Sequence, residues 1–484
     1  MSDLKTKTIK GMFWSFSEIV SLQGINFVVQ IFLARLLMPE DFGLIGMITI
    51  FIAVSQSLID SGFTSALIRE KNVTNTDYST VFYFNLVVSV VIYFILFFSS
   101  PLISNFYNEP RLVSIIRILS VVIVINAFGL IQRTILVREI DFKTQTKITF
   151  ISSVLSGIVA VILAFLGFGV WCLVIRQILM QLTQSLMLII HNKWIPSLEF
   201  NVISFKRFFG FGWKLLVSGL IDTLYTNIYY PVIGKFFSAT DLGFFTNAKK
   251  MADIPAMATS QAVQKVSYPV LSQIQDNEKS LKNSFRKAIR NTIFITFPLM
   301  MGFAVIGEPL IKLLVGEKWV PSIPYFQILC FTGMLYPLHA LNLNILQVKG
   351  RSDLFLKLEI IKKIIGVISI IVALFFGLGI IGLLWAEFFT SIISFFINSF
   401  YSKKMIDYST RDQIKDISPI FFASIIMAGI TYSVTFFLDL GNVFLLLIQI
   451  PVGILLYITL SYIFQIEEVK NIKSILNLRS RSNI

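Results

Sequence analysis

A chain of 484 residues that is 55% hydrophobic and 14% charged, with 47 phenylalanines and a mean hydropathy of +0.78, carries more apolar surface than a soluble fold can bury. The net charge of +14 would suggest nucleic acid in a soluble protein, but in a membrane protein it reflects Lys and Arg held on the cytoplasmic side. Two cysteines inside apolar runs and two histidines exclude a disulfide framework and make a transition-metal centre improbable, and no cofactor is expected.

A helix crossing the hydrocarbon needs about 20 mostly apolar residues. Such runs lie near 12–34, 43–62, 79–100, 113–132, 148–167 and 170–190. They resume near 211–233, 248–270, 288–310, 323–346, 356–376 and 380–400, and two more fall near 418–437 and 443–464. The start is polar, and its first apolar run is too long for a signal-peptide core, so it reads as a retained first helix. With the N-terminus inside, the cytoplasmic segments collect about 31 of the 41 Lys and Arg and the external ones about 8, which supports fourteen spans with both termini cytoplasmic. The longest loops, around 191–210 and 272–287, read as short amphipathic linkers. Asn72-Val73-Thr74 matches a glycosylation acceptor but falls on the cytoplasmic side.

An internal repeat organises these spans. Ala34-Arg35-Leu36-Leu37 followed by Asp41-Phe42-Gly43 returns as Gly234-Lys235-Phe236-Phe237 followed by Asp241-Leu242-Gly243, a shift of 200. Gly167-Phe168-Gly169 with Leu173 returns as Gly377-Leu378-Gly379 with Leu383, a shift of 210. A unit of six spans is even, so both copies insert the same way, and substrate is expected between them. The predicted fold is all-α, with two six-helix lobes at 1–200 and 201–405 and a helix pair with a tail at 406–484. That organisation suits a transporter that rocks between inward-open and outward-open shapes.

The turn Leu37-Met38-Pro39-Glu40-Asp41 is explained by Pro39 stopping the first helix and Asp41 capping the second. Charges inside spans ask for more, because each costs about 2.5–3.5 kcal/mol at the helix centre. Arg176 lies about 10 Å inside span six and Lys265 lies in the polar span eight, with Arg117 shallower in span four. Each reads either as a cavity cation or as half of an ion pair. Arg35 and Lys235, at the ends of spans one and seven, read as snorkelling residues or as a cationic ring at the outer mouth. The acids Glu18, Asp60, Asp222 and Asp253 read as partners of those bases or as carriers of a coupling ion, with Asp222 about 16 Å into its span. Gln261, Gln264, Tyr225 and Asn227 are candidates for sugar contacts. His339, within a span, reads as a hydrogen-bonded core residue. There is no phosphate-cradling nucleotide loop and no His-Glu-x-x-His pair, so an enzyme is not expected.

Three stretches carry a resemblance. Ala34-Arg35-Leu36-Leu37-Met38-Pro39-Glu40-Asp41-Phe42-Gly43-Leu44 resembles the first-loop signature of Wzx-type polysaccharide flippases. Val263-Gln264-Lys265-Val266-Ser267-Tyr268-Pro269-Val270-Leu271-Ser272 resembles the end of their eighth span, and Val315-Gly316-Glu317-Lys318-Trp319-Val320-Pro321 a later external loop. The closest likeness is to the colanic-acid and teichuronic-acid exporter branch of the polysaccharide transporter family, within the multidrug/oligosaccharidyl-lipid/polysaccharide superfamily. The resemblance implies a bacterial inner-membrane flippase that uses no ATP and turns a polyprenyl-pyrophosphate-linked oligosaccharide from the cytoplasmic to the periplasmic leaflet. Its expected partners are that glycolipid and the membrane lipids, with polysaccharide polymerase and export machinery nearby, and it is expected to act as a monomer. The alternative on the same fold is a drug/cation antiporter or a flippase for the peptidoglycan lipid precursor. Arg176, Lys265, Arg35, Lys235 and Arg117 would then meet the pyrophosphate, and Asp222 would couple its release to an ion.

Overall fold

The computed structural model describes residues 2–60, 62–437 and 441–469, with the side chains of 2–13, 15, 16, 19, 20, 262, 265 and 266 outside the description. The regular elements are helical. They run α1 (Ser2–Leu36), α2 (Pro39–Asp60), α3 (Phe63–Arg69), α4 (Asn75–Tyr107), α5 (Leu112–Leu119), α6 (Val121–Arg138), α7 (Phe142–Phe165), α8 (Trp171–Asn192), α9 (Val202–Thr226) and α10 (Tyr229–Phe236). The series continues with α11 (Ala239–Gln273), α12 (Glu278–Val305), α13 (Gly307–Leu314), a 3-10 turn at Glu317–Ser322, α14 (Ile323–Gly333) and α15 (Tyr336–Val348). It closes with α16 (Ser352–Phe375), α17 (Gly379–Ile406), α18 (Thr410–Phe437) and α19 (Asn442–Ile463).

Among the described residues, ten helical segments are long and apolar enough to cross a membrane. The other four predicted runs fall on α1, α9, α11 and α16, each of at least 24 residues. Bulky apolar side chains point outward along these helices; Phe98, Phe165, Phe375 and Phe437 are all exposed, as a lipid-facing surface requires. The chain is an integral membrane protein.

Local chemistry sets the helix ends. Thr74 and Asp77 form a reciprocal capping box at the start of α4, the Thr74 N–H donating to Asp77 at 3.0 Å and the Asp77 N–H to Thr74 Oγ1 at 3.2 Å. The two predicted linkers are shorter than their composition suggests. Asn201 accepts from the Ile203 and Ser204 amides, and Asn277 from the Ser280 amide, so α9 and α12 start at Val202 and Glu278 and take the basic residues Lys206, Arg207, Lys279 and Lys282 into their first two turns.

The repeat is visible in the same local geometry. Asp41 accepts from the Met38 N–H at 3.0 Å, and Asp241, 200 residues later, accepts from the Ser238 N–H at 3.3 Å. Gly167 and Gly169 have φ of 80° and 54°, and Gly377 and Gly379 have 62° and 68°, values that favour glycine. The chain divides into two compact units, Met1–Thr246 and Asn247–Ile484. Within the first, α2 meets the beginning of α11 almost backbone to backbone. A β-carbon on Gly43 would lie 1.7 Å from the Ala239 carbonyl oxygen, and one on Gly243 would lie 1.8 Å from the Pro39 carbonyl oxygen. Under the 200-residue shift, 39 maps to 239 and 43 to 243. Each copy therefore offers the other the same pair of positions, as in a two-fold contact.

Candidate functional site

The first unit holds a polar column on α1, α6, α7 and α8. At one end the Arg176 guanidinium donates from Nη2 to Asn26 Oδ1 at 2.7 Å. Its Nε is buried without a hydrogen-bond partner, and among the described residues Arg176 makes no ion pair. Further along α8, Gln181 donates to Asn126 Oδ1 at 3.0 Å, and Gln184 donates to Thr149 Oγ1 at 3.3 Å. At the far end Glu18 accepts from Thr149 Oγ1 at 3.1 Å and from Gln145 Nε2 at 3.3 Å. From Arg176 to Gln184 the column rises about 12 Å along one helix. It is partly open to solvent, since Gln177, Gln181 and Gln184 are only half-buried and few residues of α8 are fully enclosed.

Chemically this is a cation with spare donors, a run of amides and a carboxylate that already has two donors. A guanidinium left without a carboxylate partner is suited to phosphate oxygens, which it can grip with two parallel N–H groups. Glutamine and asparagine amides both donate and accept, which suits sugar hydroxyls. Among the described residues, no group of three or more His, Cys, Asp or Glu side chains is placed to hold a metal ion.

The other predicted cations have other surroundings. Lys235 donates to the Phe106 carbonyl at 2.6 Å and sits 4.7 Å from the Phe106 ring centroid, so it closes the C-terminal end of α4. Arg117 donates to Ser100 Oγ at 3.1 Å and lies 4.5 Å from the Phe97 ring centroid, pinned on α4. Arg35 is exposed in the last turn of α1. Lys265 belongs to α11, and its side chain lies outside the described residues.

Asp60 is exposed at the end of α2, within electrostatic reach of Arg133. Asp222 is exposed on α9, a helix with only Phe208 and Gly212 buried. Tyr225 is half-buried there, and Asn227 bonds back to the Thr223 carbonyl at 2.8 Å as a helix-end residue. In the second unit Gln261 is half-buried, Gln264 is exposed, and Asp253 pairs with Lys249 at 3.5 Å. His339 is hydrogen-bonded to Ser391 at 2.8 Å, the core role its sequence setting suggests.

The column residues Asn26, Asn126, Gln145, Gln181 and Gln184 escape a reading based on charge. Their signal is positional: Gln177, Gln181 and Gln184 recur at helical spacing on one otherwise apolar helix.

Comparison with known proteins bears on what this column serves. A family model described as "Polysaccharide biosynthesis protein" matches residues 32–324. The chain is 27% identical over 383 residues to the teichuronic acid biosynthesis protein TuaB of Bacillus subtilis (strain 168), covering 79% of each. It is 26% identical over 439 residues to the lipopolysaccharide biosynthesis protein WzxC of Escherichia coli (strain K12), covering 89% of this chain and 88% of that one. Its fold is that of a structure of the lipid II flippase MurJ, at a TM-score of 0.75 and 20% identity over 95% of this chain and 100% of the other. An inward-facing transporter of the multidrug MATE family shares the fold at a TM-score of 0.61 and 17% identity, over 81% of this chain and 96% of that one.

Proposed function

The chain belongs to the polysaccharide biosynthesis protein family, as its resemblance to Wzx-type flippases implied, and from that premise we propose that it carries a polyprenyl-pyrophosphate-linked oligosaccharide from the cytoplasmic to the periplasmic leaflet of a bacterial inner membrane. In this reading fourteen spans form two like-oriented six-helix lobes with a trailing helix pair, and the lobes rock about the bound headgroup. Arg176 takes the pyrophosphate, Gln181 and Gln184 take sugar hydroxyls, and the polyprenyl tail stays in lipid. Lys265, Arg35, Lys235 and Arg117 act as secondary cations, and Gln261, Gln264, Tyr225 and Asn227 as further sugar contacts. Asp222, with Glu18, Asp60 and Asp253, forms the acidic set from which the coupling ion is drawn.

The observation that carries this reading is Arg176. A half-buried guanidinium bound to one amide, with a sealed Nε, retains donors for an anion. The same feature argues against a cationic drug as the cargo, which would call for an unengaged acid at this end of the column.

Arg176→Ala and Arg176→Lys are each expected to abolish surface polysaccharide while leaving membrane insertion unchanged. The lysine fails because it cannot offer the planar fork. Normal polysaccharide in Arg176→Ala cells removes the phosphate role. For the acids, Asp222→Asn is expected to flatten the dependence of export on an imposed ion gradient, and an unaltered dependence takes Asp222 out of the mechanism.

A further inference from the structure

The second unit contains a partly buried charged group that the substrate reading leaves unused. Glu387 lies on α17, about 12 Å from its Gly379 start. Its Oε2 is sealed from solvent and has no hydrogen-bond partner among the described residues. The charge near it comes from α11. Lys249 and Asp253 of α11 both act on the Glu387 carboxylate electrostatically, and Tyr336 of α15 is within reach of all three. Lys249 and Asp253 are themselves 3.5 Å apart, with side chains only 12% and 29% exposed.

Aromatic side chains lie nearby on α14 and α17. Phe331 of α14 stacks on Trp385 at 6.5 Å and meets Phe388 at 6.3 Å, two residues before and one residue after Glu387 on α17. Cys330 of α14 also lies within electrostatic reach of Asp253, and two further charged groups on helices packed against α17 have partners of their own. Lys362 of α16 pairs with Glu359, and Arg286 of α12 pairs with Asp416 of α18. His339, one turn beyond Tyr336, faces Ser391.

We propose that Glu387 is a further carboxyl, beside the acidic set named above, that takes up and releases a proton in this transporter, at a site completed by Lys249, Asp253 and Tyr336. The inference rests on the transport reading above and adds the ion that drives it. Charge bookkeeping carries it. Lys249 and Asp253 neutralise each other, so an ionised Glu387 leaves one uncompensated negative charge in a low-dielectric site, which is unfavourable. One proton removes that charge and gives the carboxyl a donor of its own. A sodium ion would need several oxygen ligands in a group where an ammonium already occupies one carboxylate. The two protonation states make different demands on Lys249: with Glu387 ionised it faces two carboxylates, and with Glu387 protonated only Asp253. That difference biases how α11 packs against α15 and α17, which is what a coupled transporter needs.

The test uses the full-length protein in lipid nanodiscs without glycolipid. Infrared difference spectra between acid and alkaline pH should show a protonated-carboxyl band. The component of that band that lies beyond the titration of the exposed carboxyls should be absent in Glu387→Gln and retained in Glu308→Gln, whose carboxylate pairs with Lys312 far from this group in the sequence. Persistence of that component in Glu387→Gln overturns the proposal, and so does its displacement by sodium chloride at constant pH. In cells Glu387→Gln should lower gradient-dependent export by about tenfold or more, with partial recovery in Glu387→Asp. Unchanged export in Glu387→Gln also overturns it. If Glu387→Gln does not accumulate, Tyr336→Phe keeps the carboxyl and should move the band's midpoint by about one pH unit; an unmoved midpoint overturns the assignment. The infrared arm needs no substrate, so it separates failure of the proton site from failure of the Arg176 reading.

Discussion

Gly43→Ala is expected to leave little correctly folded protein in the membrane, and Gly243→Ala is expected to do the same. Both positions sit where α2 and the start of α11 touch, and in each case the atom that a new methyl group meets is a backbone carbonyl oxygen, at 1.7 and 1.8 Å. Ordinary overpacking is relieved by a rotamer change and costs about 1–3 kcal/mol. A carbonyl in a helix has no rotamer, so the helices must separate by more than about 1 Å and lose the dispersion contacts that surround them. The loss should exceed about 3 kcal/mol. Gly302→Ala is the control: it lies in α12 with nothing within 4 Å of a new β-carbon, and helix propensity alone predicts a gain of about 0.5–1 kcal/mol. Yield and monodispersity after detergent extraction, with a thermal unfolding midpoint, would read all three. A Gly43→Ala protein as stable as the parent would show that the two helices do not approach as described. Because both glycines serve one contact, the double variant should cost clearly less than the sum of the two.

The same contact shows which information the sequence carries openly. The repeat of Asp41-Phe42-Gly43 as Asp241-Leu242-Gly243 is legible as a pattern, and its caps follow from known helix-start chemistry. That the paired glycines face one another is legible only once two helices nearly 200 residues apart are packed. The site behaves likewise. Arg176 stands out because a charge in an apolar run is expensive, and that argument needs no structure. Lys235 stands out as the repeat mate of Arg35 at a span end, yet its partner is a main-chain carbonyl at the end of α4, which no residue type announces. Gln145, Gln181 and Gln184 carry no charge, so hydropathy passes over them until α1, α7 and α8 align them. Glu387 is likewise a charge within an apolar run, open to the same argument, but its neighbours Lys249 and Asp253 lie well over 100 residues away and only the packed structure brings them to it.

Asp416→Ala is the second change expected to have a large effect, and it acts on stability without touching the polar column. Asp416, only 7% exposed, receives Arg286 through Nε and Nη2, both at 2.6 Å, and the Tyr408 hydroxyl at 2.7 Å. It thereby ties α12, α18 and the turn between α17 and α18 together. Burial and the adjacent Asp416 carboxylate push the Tyr408 phenol well above its usual ionisation range, so it stays a donor at any physiological pH. Arg290 reaches the same carboxylate at 3.9 Å but has Glu467 at 2.9 Å and Glu468 through Nη2 at 3.0 Å, so it keeps partners when Asp416 is lost. Arg286 does not. Breaking a fully buried pair costs about 3–5 kcal/mol, but Arg286 is 48% exposed and water will recover part of that. The expected loss is therefore about 2–3 kcal/mol, including the stranded Tyr408 hydroxyl. Tyr408→Phe removes one neutral donor and should cost about 1 kcal/mol. Asp416→Asn keeps an acceptor for either donor and should fall between the two. Unfolding of the detergent-solubilised protein ranks the three. If Asp416→Ala falls within about 0.5 kcal/mol of the parent, the range of neutral surface changes, this carboxylate does not hold the three segments together.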